Sequence, residues 1–210
     1  MPARSSSTTT DPDDGPTRRT RSADVRDALV DAAVRVIERD GFAALTVRAV
    51  AAEAGVAPMG VYNHLGGKDG LIVAVLERGF DGLRDAASVG PGPAALDRLR
   101  ASGLGYRRFA LAQPAIYGLM FGGGLAPELR EPLAPHSKPA FAVLVDLVAA
   151  AQHEAAVRAG DPSLLALQIW SSVHGAVSLE LTGSMPTPGA AETVYRELIE
   201  TILRGLAATG

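Results

Sequence analysis

Tyr62, Asn63 and His64 stand side by side in the chain, and Lys68 follows them across Leu65-Gly66-Gly67. A phenol, an imidazole and an ammonium can all donate hydrogen bonds to phosphate oxygens, while a carboxamide offers a donor and an acceptor spaced to grip the edge of adenine. This is the chemistry of recognition rather than of bond cleavage. No G-x-S-x-G elbow and no H-E-x-x-H motif occurs, and Gly66-Gly67-Lys68-Asp69 lacks the hydroxyl residue and the earlier glycine of a phosphate loop. The histidines, His64, His136, His153 and His174, have no metal-ligand spacing, and the chain contains no cysteine. Neither an enzyme nor a cofactor is expected, and no metal site.

The elements that must hold these side chains are written around a single glycine. Thr46 is a good N-cap for an alanine-rich helix whose Val47, Val50, Ala51 and Ala54 share one face. Gly55 supplies the positive φ that ends it, Val56 plugs the angle, and Pro58 suits the first turn of a second helix from about Pro58 to Leu65. In that second helix Val61 and Leu65 turn inward, leaving Met59, Gly60, Tyr62, Asn63 and His64 outward. A helix-turn-helix of this form lays its second helix in the DNA major groove. Lys68 and the first amides of the next helix together make an anion site. Two further readings stay open on these residues: Tyr62 packing over the turn, and His64 capping its helix. Ahead of the pair, Val25, Leu29, Ala32, Ala33, Val36 and Ile37 form the stripe of another helix ending at Asp40-Gly41, with Phe42 and Leu45 expected to fill the space among the three.

Gly41-Phe42, Leu45-Thr46-Val47-Arg48, Ala54-Gly55-Val56, Gly60-Val61-Tyr62-Asn63-His64-Leu65 and Lys68-Asp69-Gly70-Leu71 resemble the N-terminal domain of the TetR/AcrR family of bacterial transcriptional regulators. The resemblance implies an all-α, homodimeric repressor released from a pseudo-palindromic double-stranded operator by a small molecule. It places Thr46, Arg48, Tyr62, His64 and Lys68 at phosphate-contacting positions and Pro58, Met59, Gly60 and Asn63 near base edges. The sequence departs from the family pattern where Ala57 replaces the usual Ser/Thr cap, where Leu65 replaces phenylalanine, and where Gly66-Gly67 replaces a bulkier pair, which is expected to loosen the following link.

Beyond Leu71 the chain reads as helices between Gly/Pro breaks: about 69–87, 94–111, a short one opened by Pro114, then about 137–159, 162–182 and 190–207. The expected division is a disordered arm over residues 1–22, a helix-turn-helix domain over 23–69 and a helical ligand-binding and dimerisation domain over 70–210. Gln113-Pro114 through Phe121, with Trp170, His174-Gly175 and Leu179, resembles the Trp-His-Gly type of TetR C-terminal domain. Tyr106, Phe109, Tyr117, Met120, Phe121, Trp170, Val173 and His174 are the candidate ligand lining, with Tyr106, His174 or Glu180 as polar orienters. The competing reading is a packed core in which His174 bonds a carbonyl and Trp170 fills volume. The effector expected is small and hydrophobic or amphipathic. The last two helices are the expected dimer contact, through Leu164, Leu167, Ser171, Ser172, Gly175, Ala176 and Leu179 on one and Val194, Leu198, Ile202 and Leu206 on the other.

Global charge is uninformative, with a formal net charge of −3 and a pI near 5.8. Residues 1–22 are rich in Ser, Thr, Pro and Asp and nearly free of apolar side chains, with Arg18, Arg19 and Arg21 at the basic end. That end is expected either to reach a minor groove or to stay a solvated leader. No secretory signal is recognised and no membrane partner is expected, so a cytoplasmic location follows. Two other functions compete with the ligand-released repressor: a DNA-binding protein blind to effectors, and a small-molecule binder whose DNA-binding unit is vestigial.

Overall fold

The computed structural model describes residues 16–92, 94–123, 125–187 and 189–208. Its elements are α1 (Pro16–Asp40), α2 (Val47–Ala54), α3 (Pro58–Leu65), α4 (Lys68–Ala87), α5 (Ala95–Ala112), α6 (Pro114–Phe121), α7 (Arg130–His153), α8 (Pro162–Leu181) and α9 (Ala191–Leu206), with short 3-10 turns at Phe42–Ala44 and Pro127–Leu129. Among the described residues the sole β pairing is an isolated bridge between Val157 and Ala207. The fold is all-α.

α1, α2 and α3 close on a core of Leu29, Ala33, Val36, Ile37, Leu45, Val50 and Val61, each buried. Leu45 fills that core as the sequence indicates, whereas Phe42 lies 40 % exposed on the 3-10 turn and does not. Outside the core, Glu53 of α2 is gripped by Arg35 at 2.8 Å and Arg39 at 2.9 Å from α1. Those hydrogen bonds, Arg35 first, hold its carboxyl below the usual glutamate range. α1 starts earlier than the composition of the leader suggests. Pro16 opens it, so residues 16–22 are helical and not part of a disordered arm; a proline at the first turn gives up an amide that has no partner there anyway. The remainder of that expected arm, residues 1–15, lies outside the described residues.

α4 belongs to both halves of the molecule. Its Leu71, Val75, Leu76, Gly79, Leu83 and Ala87 are buried, and the helix packs against α1 and α3 as well as α5, α6 and α7. Two glycines let this helix be approached closely. A Cβ on Gly79 would sit 2.9 Å from Ile116 Cγ2 of α6, and one on Gly105 of α5 would sit 1.9 Å from the Ala86 carbonyl. α7 spans Arg130–His153, displaced toward the N-terminus from the expected 137–159. It runs through Pro135 and Pro139, each of which deletes a backbone hydrogen bond, whereas the expected helix begins only after Pro135. Past His153 the chain turns at Ala155, at φ 53°, and Arg158 N–H donates to the Leu206 carbonyl at 2.8 Å, tying α7 to the end of α9.

Candidate nucleic-acid interface and buried cavity

The α2–α3 pair is built as the residue types dictate. The Thr46 hydroxyl accepts from the Ala49 amide at 3.1 Å, Gly55 adopts φ 68°, and Val56 N–H returns to the Ala51 carbonyl at 2.9 Å. α3 begins at Pro58 behind Ala57, whose φ −69° and ψ 149° are those of an N-cap but whose methyl bonds nothing. Val61 and Leu65 are buried, while Met59 is 64 % and Tyr62 55 % exposed; Pro58 and Asn63 are exposed beside them. The outward face is therefore a methionine, a phenol and a carboxamide around Gly60. Thr46, Arg48 and Lys68 are exposed at its margins, and His64 is half-buried.

His64 does not cap its helix. Its Nδ1 lies 3.5 Å from the Ser22 hydroxyl of α1, and the cap falls to Gly66, in the left-handed conformation at φ 72°, whose N–H donates to the Tyr62 carbonyl. The Gly66-Gly67 pair is not the loose joint its composition suggests. Gly67 is buried at φ 108°, and a Cβ there would meet the Tyr62 ring at 3.2 Å. One edge of Tyr62 thus packs over the turn while the rest of the side chain faces solvent. On the far side, a Cβ on Gly70 would fall 1.6 Å from the Leu65 carbonyl, so α3 and α4 meet almost backbone to backbone.

Pairing distinguishes cations that a charge count treats alike. Arg26 is tied to Glu77, Arg35 and Arg39 to Glu53, and Arg78 to Asp27 and Asp31. Arg48 and Lys68, by contrast, form no ion pair among the described residues. Among the described Arg and Lys side chains of α1 to α4, these two are the ones left to solvent, and they flank α3.

The second site is a partly open cavity of about 370 Å³ bordered by α4, α5, α6, α7, α8 and α9. Tyr106, Phe121, Trp170 and Val173 line it as expected, joined by Phe80, Leu83, Ser102, Phe141, Leu144, Ile199 and Ile202. Phe109, Tyr117, Met120 and His174 do not line it. Phe109 and Met120 are core: each stands near the Cβ position of a glycine on α4, Phe109 at Gly82 and Met120 at Gly79. Helical spacing identifies an inward residue and cannot say whether inward means core or cavity.

Tyr117 and His174 stand behind Tyr106 in a closed relay. Trp170 Nε1 donates to Tyr106 Oη at 3.2 Å, Tyr106 Oη lies 2.8 Å from Tyr117 Oη, and Tyr117 Oη lies 2.7 Å from His174 Nδ1. A neutral imidazole with the proton on Nε2 lets each hydroxyl donate onward to the next acceptor. Burial alone pushes His174 below its ordinary value of 6.5, in keeping with that neutral form, and burial pushes both tyrosine hydroxyls upward. Glu180, offered above as an orienter, is held bidentately by Arg107 at 2.7 and 2.8 Å and does not reach the cavity. The same guanidinium lies 5.7 Å from the Tyr195 ring centre.

The outer face of α8 and α9 carries exposed Leu164, Leu167, Leu179 and Val194. Leu206, assigned to that face from its spacing, is buried with Tyr195, Ile199 and Leu203 on the core side of α9. By length and composition α8 could cross a membrane, at a mean hydropathy of 1.2. Here it buries Leu165, Ala166, Ile169, Val173 and Val177 in the protein core and keeps Gln168 and Ser171 exposed.

These two sites, a helix-turn-helix with an outward second helix and a helical unit around a cavity, define a DNA-binding regulator of transcription with an appended helical domain. Residues 29–75 match the bacterial regulatory proteins, tetR family, and residues 99–202 match the tetracyclin repressor-like C-terminal domain. The chain belongs to the TetR family. An HTH-type transcriptional regulator of Mycobacterium tuberculosis is 29 % identical over 185 residues, covering 86 % of this chain and 81 % of the relative. A solved TetR-family transcriptional regulator from Rhodococcus superposes with a TM-score of 0.71 at 27 % identity, over 86 % of this chain and 99 % of its own. A second Rhodococcus structure, of a protein with unknown function, gives 0.78 at 28 % identity over 87 % and 95 %. Regulators of this family bind operator DNA and act as dimers. They are not enzymes.

Proposed function

We propose that this chain is a cytoplasmic repressor that binds a pseudo-palindromic operator as a homodimer and leaves it when a small apolar molecule fills the cavity. The observation that carries the DNA-binding part is the outward face of α3, where Met59, Tyr62 and Asn63 stand exposed between the unpaired cations Arg48 and Lys68. Arg48, Lys68, Thr46, Tyr62 and His64 hold phosphates, and Asn63, Met59, Gly60 and Pro58 meet base edges, Met59 suiting a thymine methyl. With no arginine on the reading face, indirect readout of DNA shape supplies part of the specificity.

Release runs through α4. Phe80, Leu83 and Ala87 are walls of the cavity, and the same helix begins at Lys68, against the end of α3. A side-chain network crosses at its middle. His136 Nδ1 of α7 lies 3.1 Å from both oxygens of Asp81, its Nε2 faces Glu77 at 3.8 Å, and Glu77 is bonded by Arg26 of α1 at 2.7 Å. Ser137 and Ala140 of that α7 segment line the cavity. A ligand that presses on α7 and Phe80 therefore biases the position of α4, and with it the separation of the two α3 helices. A coupling of roughly 1–3 kcal/mol weakens operator binding about 5–150-fold.

The competing reading, a DNA-binding protein blind to effectors, draws on the Trp170–Tyr106–Tyr117–His174 relay, which is complete without a ligand. Titration of the dimer with a duplex from its own promoter tests both parts. Tyr62→Ala should weaken binding to every duplex alike, whereas Asn63→Ala should relax preference at one base position, where a bidentate contact is worth about 1–3 kcal/mol. No binding to that duplex in low salt defeats the DNA reading, and binding that no apolar compound shifts leaves the effector-blind protein.

A further inference from the structure

Ser102 is 3 % exposed, yet its hydroxyl makes no hydrogen bond to any described residue and it stands on the cavity wall. Hydroxyls on α8 and α9 behave differently: Ser172 bonds the Gln168 carbonyl at 2.9 Å and Thr201 the Glu197 carbonyl at 2.8 Å. No fully buried side-chain oxygen or nitrogen among the described residues lacks a partner, so the unbonded Ser102 hydroxyl is one reached from the cavity, where a ligand atom can satisfy it. Of the other hydroxyls in the lining, that of Ser137 belongs to a half-exposed residue, and that of buried Tyr106 is already engaged by Trp170, Tyr117 and His174.

The wall contains no charged side chain. The arginines of α5 nearest in sequence to Ser102 point elsewhere: Arg98 pairs with Glu154, Arg100 with Glu200, and Arg107 with Glu180. Phe80, Phe121, Phe141 and Trp170 present ring surfaces, and most of the remaining wall is aliphatic, with Ser137 adding a hydroxyl on the α7 side. A carboxylate or ammonium placed there would lose its hydration with no counter-ion in reach, whereas a hydrocarbon carrying one neutral polar group loses little.

We propose that the cavity takes an uncharged, mostly hydrocarbon molecule oriented by a single hydroxyl or carbonyl hydrogen-bonded to Ser102. This deepens, and rests on, the reading of the C-terminal unit as a ligand receiver. The class includes aliphatic and aromatic alcohols, ketones and aldehydes; it excludes free fatty acids and cationic amphiphiles.

Trp170, the chain's single tryptophan, is itself part of the wall and reports occupancy without reference to DNA. Decan-1-ol, decanoate, decylammonium and 1-chlorodecane, titrated below their aggregation limits into the full-length protein, supply one tail with four head groups. Decan-1-ol should change Trp170 emission saturably, with both ions binding at least about tenfold more weakly. In Ser102→Ala the affinity for decan-1-ol should fall about 2–10-fold, the range of one hydrogen bond, while that for 1-chlorodecane stays the same. Circular dichroism and melting of the variant confirm that the fold is intact. Equal binding of the ions, an unchanged alcohol affinity in Ser102→Ala, or no Trp170 response to any of the four overturns the inference. Operator binding is followed in parallel. An alcohol that responds as expected at Trp170 and leaves operator affinity unchanged retains the inference and overturns effector-driven release.

Discussion

His174 shows how a single residue's surroundings decide its use. In the sequence it stands four residues after Trp170, in a stretch that resembles the Trp-His-Gly type of C-terminal domain and marks it as a candidate for the ligand site. In the structure it accepts from Tyr117 at 2.7 Å and lies between the rings of Tyr117, Phe121 and Trp170. Burial lowers its proton affinity below the ordinary value of 6.5, so the unfolded chain binds that proton more readily than the folded one. Its contribution to stability is therefore whole above about pH 6.5 and is lost as pH falls through the depressed folded value. Thermal melts at pH 7.5 and 5.5 should show a larger drop for the native protein than for His174→Asn. An identical drop in the two would place the titration elsewhere. Ser102 makes the complementary point: a lone serine in α5 has no distinguishing spacing, and its open hydroxyl became visible only with its neighbours in place.

At the scale of elements, α2 and α3 were legible almost to the residue because local chemistry fixes them: Thr46 caps, Gly55 turns and Pro58 restarts. The weak joint was legible too. Ala57 has the backbone of an N-cap without an oxygen to accept, so Ala57→Ser should stabilise α3 by roughly 0.5–2 kcal/mol in denaturant unfolding. A null or negative effect would mean that α3 is held by its neighbours alone. Elements whose limits depend on tertiary packing were misjudged. Pro135 and Pro139 lie inside α7, which packs along α4, α5 and α8, because burial against those helices outweighs the missing backbone bonds. Gly66-Gly67 reads as slack, yet its left-handed backbone and the Tyr62 ring over Gly67 make it a tight corner.

Across the whole molecule the outstanding surface is the α8–α9 face. Leu164 and Leu179, on the same helix and each at least half exposed, join Leu167 and Val194 in a patch a lone chain would leave wet. We propose it as the two-fold contact, which sets the two α3 helices about one turn of DNA, ~34–36 Å, apart. Sedimentation of Leu164→Lys/Leu179→Lys at micromolar concentration should show monomer where the native chain shows dimer. Operator affinity should fall with dimerisation, because each half-site alone lacks the avidity of the pair. A double variant that stays dimeric would move the contact to another face.

Capping, turn and periodicity rules act over a few residues, so the sequence by itself determined the helical class, the α2–α3 reading head and the inward stripe of α1. Tertiary structure alone decided which inward residues are core and which line a void. It put Phe109 and Met120 against Gly82 and Gly79, and set Ser102 and Trp170 around empty space. It also decided which cations stay available, through Glu53 and Glu77 reaching from other helices to Arg35, Arg39 and Arg26. Both outcomes depend on where distant helices cross, and a cavity or an ion pair between them leaves no periodicity in any one of them.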